Sequence, residues 1–200
     1  MRILAFATLI LAAASGRAGA APATFQILPG AKGNQISFVS KAPLETVEGK
    51  TDRVTGSVAV DPADLAAGCH VEVRVDLASL DTGIGKRNQH MRENHLETDR
   101  FPEAVFLADS LSEAPAALAP DTPAAFTLIG DFSLHGVTKQ IAVPVTVVLS
   151  ADGRALAVSA AFAVKLADYS IARPQFLVMK LDELQRVNVA LTAQRRSEGN

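Results

Sequence analysis

FTLIGDFSL, residues 126–134, begins the part of the chain that decides the fold. It is followed by IAVPVTVVL at 141–149 and LAVSAAFAVKL at 156–166. In each segment apolar residues occupy every second position, which is the spacing of a β-strand with one buried face. The dipeptide Asp152-Gly153 between the last two segments is a strong signal for a two-residue hairpin turn. Together these segments predict an antiparallel meander.

The same alternation extends towards both ends of the chain. It is clearest in residues 70–77, where valine and leucine alternate with polar and charged residues, as in a sheet with one wet face. Further strands are predicted at residues 25–28, 34–40, 46–50, 53–60, 104–111 and 186–192. About eight strands joined mainly by short turns predict one all-β domain, either a barrel or a sandwich. The length of the later strands favours an antiparallel eight-stranded barrel.

One segment interrupts this pattern. RNQHMRENHLETDRFPEAVF, residues 87–106, contains a short helix predicted near residues 86–97, and Pro102 prevents it from continuing past the preceding residue. Asp81 or Thr82 is expected to cap the entry into the helix. Three residues would share the flank that lies against the end of the sheet: Met91, His95 and Leu96.

The first twenty residues have the pattern of a secretory signal peptide. A basic residue precedes an apolar run that ends in Ala18-Gly19-Ala20, a small-x-small cleavage site. The run is too short for a permanent span, although a retained N-terminal anchor is the alternative interpretation. We therefore predict cleavage after about Ala20, a mature domain at residues 21–200, and a periplasmic or secreted location.

The charge of the chain argues against one class of partner, and its single cysteine excludes one kind of covalent bond. Lys and Arg number 19 and Asp and Glu 21, a formal net charge of −2, so no basic field indicates binding to nucleic acid. Cys69 is the only cysteine, which excludes an internal disulfide. It is expected to be a small buried residue, with a reactive thiol as the alternative.

Motifs of catalysis are absent from the sequence. His90 and His95 are five residues apart, about 140° around a helix, whereas the zinc-protease motif places its two histidines on one face. There is no nucleophile-elbow serine and no glycine-rich phosphate loop. We expect no catalytic residues, no metal site and no cofactor. The inward residues of the strands are apolar, so we expect an apolar ligand.

Three motifs resemble those of one family. Ser79-Leu80-Asp81-Thr82-Gly83 leads into Arg87, His90 and Arg92, similar to S-x-x-T-G…R-D-x-H-L-R, with Asn88 in place of Asp. FPEAVF at 101–106 resembles P-x-x-x-F, and GDFSLHGVTK at 130–139 is very close to G-D-L-T-I-H-G-V-T-K. On these motifs the chain resembles the YceI family of exported proteins, whose lipocalin-like barrels bind polyisoprenoids or other long-chain lipids.

The resemblance implies a lipocalin-like barrel whose lumen takes an isoprenoid or acyl tail, with the helix beside its mouth. Candidate rim residues are Arg87, His90, Arg92 and His135, with Lys41 and Lys139 as weaker candidates. Candidate lumen residues are Phe38, Val73, Phe106, Phe132, Val145 and Phe162. The alternative roles are structural: Arg87 would pair with Asp131 or Asp81, His135 would fix its turn, and the lumen residues would form a solid core.

The expected function is therefore to hold a polyisoprenoid, or its quinone derivative, without converting it. Two other functions stay open. One is a filled barrel that acts as a stress-response or interaction module. The other is an enzyme on an isoprenoid lipid, with His90 or His135 as its base. A homodimer is also possible, through the small outward residues Ala155, Ala157, Ser159, Ala161 and Ala163.

Overall fold

The structure of this protein is a computed structural model, and it describes residues 22–41, 45–176 and 179–196. The predicted signal peptide, residues 1–20, lies outside the described residues. The strands are β1 (Ala23–Ile27), β2 (Gln35–Lys41), β3 (Thr46–Thr51), β4 (Val54–Val60), β5 (Cys69–Asp76), β6 (Glu103–Ser112), β7 (Ala124–Leu134), β8 (Val137–Leu149), β9 (Ala155–Lys165), β10 (Gln175–Phe176), β11 (Met179–Lys180) and β12 (Leu184–Arg195). The helix α1 spans Gly85–Asn94.

The main sheet closes into an antiparallel barrel. Its order is β1-β4-β5-β6-β7-β8-β9-β12-β2-β3, and β1 also pairs with β12. β1 and β2 lie one after the other along the same edge of β12, with Phe25 opposite Arg195 and Ile36 opposite Val189. β4 pairs with β1, and β3 pairs with β2. β1 and β2 therefore share one position of the barrel, β3 and β4 share the next, and the barrel has eight positions. The predicted eight-stranded barrel is therefore confirmed, and the sandwich is excluded.

Alternation decides which side chains face inward. Val71 and Val75 of β5 are buried, whereas Arg74 and Asp76 between and after them are exposed. On β2 the ring of Phe38 lies over Gly49 of β3, where a Cβ atom would overlap the ring. The outer face of β9 carries exposed alanines, as the sequence predicted.

One end of the barrel, which we call the floor, is closed by residues 61–68 and 113–123. The backbone amide of Leu65 donates to the carbonyl of Ala116 at 2.9 Å, and that of Leu118 donates to the carbonyl of Pro62 at 2.7 Å. Both leucines are buried. The segment that showed no periodicity in the sequence thus closes the barrel by crossing its end.

The opposite end, which we call the helix end, carries α1 and residues 166–183. The observed helix ends at Asn94, three residues before the predicted end at residue 97. The amides of His95 and Leu96 both donate to the carbonyl of Met91, and Glu97 then takes a positive φ of 45°, which ends the helical path. Its flank still faces the sheet, because Met91, His95 and Leu96 line the barrel interior.

Candidate functional site

A cavity of about 320 Å³ occupies the barrel. That volume lies within the range of about 300–1,000 Å³ that is usual for small-molecule sites. Its wall reaches from Leu65 and Leu118 at the floor to α1 at the helix end. All six predicted lumen residues belong to this wall: Phe38, Val73, Phe106, Phe132, Val145 and Phe162. That they contact a ligand stays a prediction.

The wall is almost entirely apolar. Its few polar side chains, among the described residues, are Ser37, Ser40, Thr82, Arg87, His90, His95 and Gln185. No Asp or Glu stands among the wall residues that the structure describes. A cavity of this composition favours hydrocarbon and offers no carboxylate for acid–base chemistry.

Arg87 lies in the wall, and its guanidinium has three partners. Nε donates to Thr82 Oγ1 at 2.9 Å and Nη2 donates to the Thr82 carbonyl at 2.8 Å. Nη1 donates to Glu45 Oε1 at 2.7 Å. The alternative role predicted for Arg87 was a pairing with Asp131 or Asp81. That prediction was wrong, because the guanidinium bonds to Glu45, which precedes β3, and to Thr82. Arg87 therefore ties α1 to the start of β3.

Asn88 is the buried polar residue of α1. Its Oδ1 accepts from the amide of Thr82 at 2.8 Å and from Thr82 Oγ1 at 2.6 Å, and its Nδ2 donates to Asp81 Oδ1 at 2.7 Å. The predicted helix cap at Asp81 or Thr82 was wrong, since the N-cap is Ile84 and has no side-chain bond. The pKa of Asp81 is lowered by the Gly83 amide and then by Asn88.

His90 marks the place where the cavity meets solvent. It is the one exposed residue among the wall residues within the described ranges. Its ring lies 5.0 Å from that of His95, edge to face. His95 Nδ1 lies 3.1 Å from the carbonyl oxygen of Ala172. Burial, and secondarily the charge of His90, lowers the pKa of His95.

The other two predicted rim residues lie outside the cavity wall. Arg92 Nη1 donates to the carbonyl of Ala78 at 2.9 Å, so the guanidinium contacts the chain between β5 and α1. His135 Nδ1 lies 3.1 Å from the Tyr169 carbonyl and Nε2 lies 3.3 Å from Glu97 Oε1. His135 therefore links two loops of the helix end and does not reach the interior.

The weaker rim candidates also lie outside the wall. Lys139 Nζ lies 3.2 Å from Asp168 Oδ1 on the outside of the barrel. Lys41 is exposed, and its carbonyl accepts from the Asp182 amide. Of the six rim candidates, the structure thus brings only Arg87 and His90 into the cavity wall.

Sequence reasoning missed several residues of the wall. Ser40 is two positions beyond the inward Phe38, so the alternation already contained the information that it faces inward. Gln185 is the second residue of β12 and lies one residue before the segment predicted as a strand. Leu65 and Leu118 lie in irregular segments, and no sequence pattern points to their place in the floor.

Cys69 lies in the cavity wall and is half-buried, whereas the sequence predicted a buried residue. Burial, and then the nearby Asp109, raises the pKa of Cys69, so its reactive thiolate form is disfavoured.

Within the described residues, no group of three or more His, Cys, Asp or Glu side chains is placed to hold a metal ion. In the same part of the chain no helix is long and apolar enough to cross a membrane.

Curated relatives match part of the chain. A UPF0312 protein of Shewanella denitrificans is 29% identical over 106 residues, 52% of this chain and 51% of that protein. A UPF0312 protein of Photorhabdus laumondii is 31% identical over 72 residues, 36% of this chain and 33% of that protein. The aligned part thus spans about half or less of the length of these relatives.

Solved structures share the fold over most of the chain. A polyisoprenoid binding domain from Saccharophagus degradans superposes with a TM-score of 0.66 at 19% identity, covering 88% of this chain and 99% of that one. BcnA of Burkholderia cenocepacia gives a TM-score of 0.66 at 20% identity, covering 80% and 96%. The sequence profile described as "YceI-like domain" matches residues 29–193. The resemblance predicted from the motifs is confirmed, and the chain belongs to the YceI-like family.

Proposed function

We propose that this protein is an exported carrier that holds one long apolar lipid, a polyisoprenoid or its quinone derivative, inside the barrel without converting it. The observation that carries the proposal is the apolar cavity that runs from the floor to His90. A lipid tail suits such a wall, because the tail itself has no polar groups that would need partners there.

The depth of the cavity limits the length of the lipid tail that it can hold. Leu156 and Val164 are both wall residues of β9 and are eight residue steps apart. This is about 26 Å along the strand, or about 20 Å along the axis of a barrel whose strands tilt by about 40°. An extended chain of about 15 carbons has that length. Burial contributes about 0.8 kcal/mol per methylene, so such a chain can bind tightly with few polar contacts.

The comparisons support this ligand class. The Saccharophagus degradans domain, which shares the fold, is described as polyisoprenoid binding. The N-terminal pattern of residues 1–20 supports export to the periplasm or beyond. The absence of carboxylates among the described wall residues supports binding without catalysis, as do the contacts of both His135 nitrogens.

Native mass spectrometry of gently purified full-length protein tests the proposal. We expect an adduct whose mass, after extraction, identifies a long-chain lipid with one chain per protein. Val145→Arg, in protein that circular dichroism shows to be folded, should lose the adduct because a guanidinium then stands in the wall, and Val145→Ile should keep it. Protein without an adduct that also takes up no added polyprenol would contradict the carrier and favour a filled interaction module. An added lipid recovered with a changed mass would favour the enzyme.

The homodimer stays a prediction. Ala157, Ser159, Ala161 and Ala163 are exposed on the outer face of β9, as a shared surface would require. Analytical ultracentrifugation of Ala161→Arg checks this prediction. A dimer that persists in the variant would contradict the assignment of this face.

A further inference from the structure

Two buried polar atoms of the cavity wall have no hydrogen-bond partner among the described residues. They are Ser40 Oγ and His95 Nε2. Ser40 is 1% exposed, which makes it one of the most completely buried side chains of the barrel. Buried polar groups are nearly always paired, since leaving one unpaired destabilises the fold. Both atoms therefore indicate a place where a polar group of a ligand belongs.

Both residues lie at the helix end. Ser40 is the penultimate residue of β2, opposite Val47 of β3. His95 directly follows α1, and its ring is held by the contact with Ala172 in the loop between β9 and β12. The floor, in contrast, presents only apolar side chains to the cavity among the described residues. A ligand with one polar end would therefore place that end under α1 and its tail towards the floor.

The hydrogen bond to Ala172 decides what His95 can recognise. A carbonyl oxygen only accepts, so His95 Nδ1 must carry the proton. In a neutral ring Nε2 is then an acceptor, and it needs a donor from the ligand. Burial lowers the pKa of His95 and so favours this neutral form. Ser40 can donate or accept, and so it adds no restriction of its own.

Charge restricts the head group further. Arg87 is the only Lys or Arg side chain in the wall within the described residues, and it is already bonded to Thr82 and Glu45. A phosphate or carboxylate placed beside Ser40 and His95 would therefore lack a compensating cation. An ionised head buried without a partner is strongly unfavourable.

We propose that Ser40 and His95 form the head-group site of the carrier, and that it selects long-chain lipids with a neutral, hydrogen-bond-donating head such as a hydroxyl or an amide. This inference rests on the proposed function and narrows it. A polyprenol or a quinol has the required O–H group, whereas a quinone or an ester has only acceptors.

Displacement of an apolar fluorophore by matched lipids tests the proposal. The chain has no Trp, so indole fluorescence does not interfere. The probes are geranylgeraniol, its methyl ether, which lacks the donor, and the saturated hydrocarbon of the same skeleton. We expect the alcohol to bind the wild-type protein about five- to tenfold more tightly than the ether, the usual contribution of one hydrogen bond.

Variants assign the preference to its residues. His95→Phe keeps an aromatic ring without nitrogen and should bring the ratio of the two dissociation constants close to one. Ser40→Ala should weaken the binding of both the alcohol and the ether relative to the hydrocarbon, because the Ser40 hydroxyl can bond to either oxygen. His95→Leu serves for the ratio if His95→Phe does not fold. His70→Phe is the matched control, since His70 lies on the outer face of β5 and the ratio should stay at the wild-type value.

The outcomes separate this inference from the proposed function. Tight binding of the hydrocarbon with equal affinities for alcohol and ether would overturn the head-group site and leave the carrier intact. An alcohol preference that survives in His95→Phe, or binding of the alcohol that Ser40→Ala leaves unchanged, would also overturn it. Failure of all three probes to bind would overturn the carrier and the head-group site together.

Discussion

The two ends of the barrel are closed by different kinds of contact. At the floor, Leu65 and Leu118 are buried, and backbone hydrogen bonds join the two crossing loops. At the helix end, backbone bonds join Asp81 to Lys50 of β3, but α1 itself is held by side chains, Arg87 to Glu45 and Asn88 to Asp81. The contact between Arg87 and Glu45 is solvent-exposed, and exposed ion pairs contribute little to stability.

This difference indicates which end admits a ligand. Opening the floor would expose buried leucines and break backbone bonds, which requires partial unfolding. Displacing α1 requires the loss of a few side-chain contacts around a short helix with one buried polar residue, Asn88. We therefore expect a ligand to enter beside α1, and the variants below test this expectation.

The largest expected effect comes from the wall that both ends share. Val145→Arg places a guanidinium at a 5%-exposed position of the wall. Because the charge has no partner there, we expect a loss of at least about 3 kcal/mol of folding free energy, or no folded protein. Urea unfolding measures it, with Val145→Ile as the control. Unaltered unfolding and lipid uptake would show that Val145 does not face inward.

The floor is tested by Leu118→Ala. Removing a buried leucine side chain should lower the unfolding free energy by about 2–5 kcal/mol. Leu184→Ala is the matched control at the helix end, because Leu184 is 50% exposed and its loss should change stability by no more than about 0.5 kcal/mol. Similar losses in the two variants would contradict the description of the floor as a packed closure.

The helix end is tested by Asn88→Ala. The change removes the links to Thr82 and Asp81 and leaves buried groups unpaired, so we expect a loss of about 1–3 kcal/mol. Exchange of bound fluorophore, followed by stopped flow, should become faster. Gln89→Ala, one residue along on the exposed side, is the control. An exchange rate that does not change would mean that α1 does not limit entry.

A smaller effect is expected for Arg92→Ala. The exposed bond to the Ala78 carbonyl should contribute about 0.5–1 kcal/mol to stability. Because Arg92 lies outside the cavity wall, we expect the ratio of alcohol to ether affinity to stay at the wild-type value. A selective loss of the alcohol would return Arg92 to the rim, where the family resemblance placed it.

The smallest effect concerns pH. The pKa of His95 is lowered in the folded protein, so the unfolded chain binds more protons below about pH 6.5. Stability should therefore fall as the pH drops from about 6.5 towards the folded pKa. His95→Phe should remove the part of the pH dependence of stability that comes from His95. Urea unfolding midpoints measured at pH 7.5 and 5.5 for both proteins would show this. An equal change in stability between the two pH values in the variant would mean that the His95 ring of the folded wild-type protein protonates freely.

The strands were predictable because their signal is local. A β-strand buried on one face must alternate, so residues 126–166 alone predicted three strands. The turn at Asp152-Gly153 was predicted at the right place, but it is a four-residue loop, 151–154, closed by the Ser150 amide on the Ala155 carbonyl, and not a two-residue turn. The same rule could have placed Ser40 in the wall, two residues beyond Phe38. Rim residues were harder to predict, because Arg92 belongs to the same motif as Arg87 and His90, and His135 belongs to another motif of the same family. Nothing in their spacing distinguishes a side chain that lines the cavity from one that holds loops together.

Local patterns were enough to predict an all-β chain with a short helix and an apolar inward face, because alternation and turn residues act over a few positions. The remaining features arise only in the folded barrel. Closure between β1 and β12, the floor made by Leu65 and Leu118, and the placement of Ser40 and His95 at one end depend on contacts between residues far apart in the chain. Local preference cannot specify such contacts, since they arise only when the whole sheet has closed.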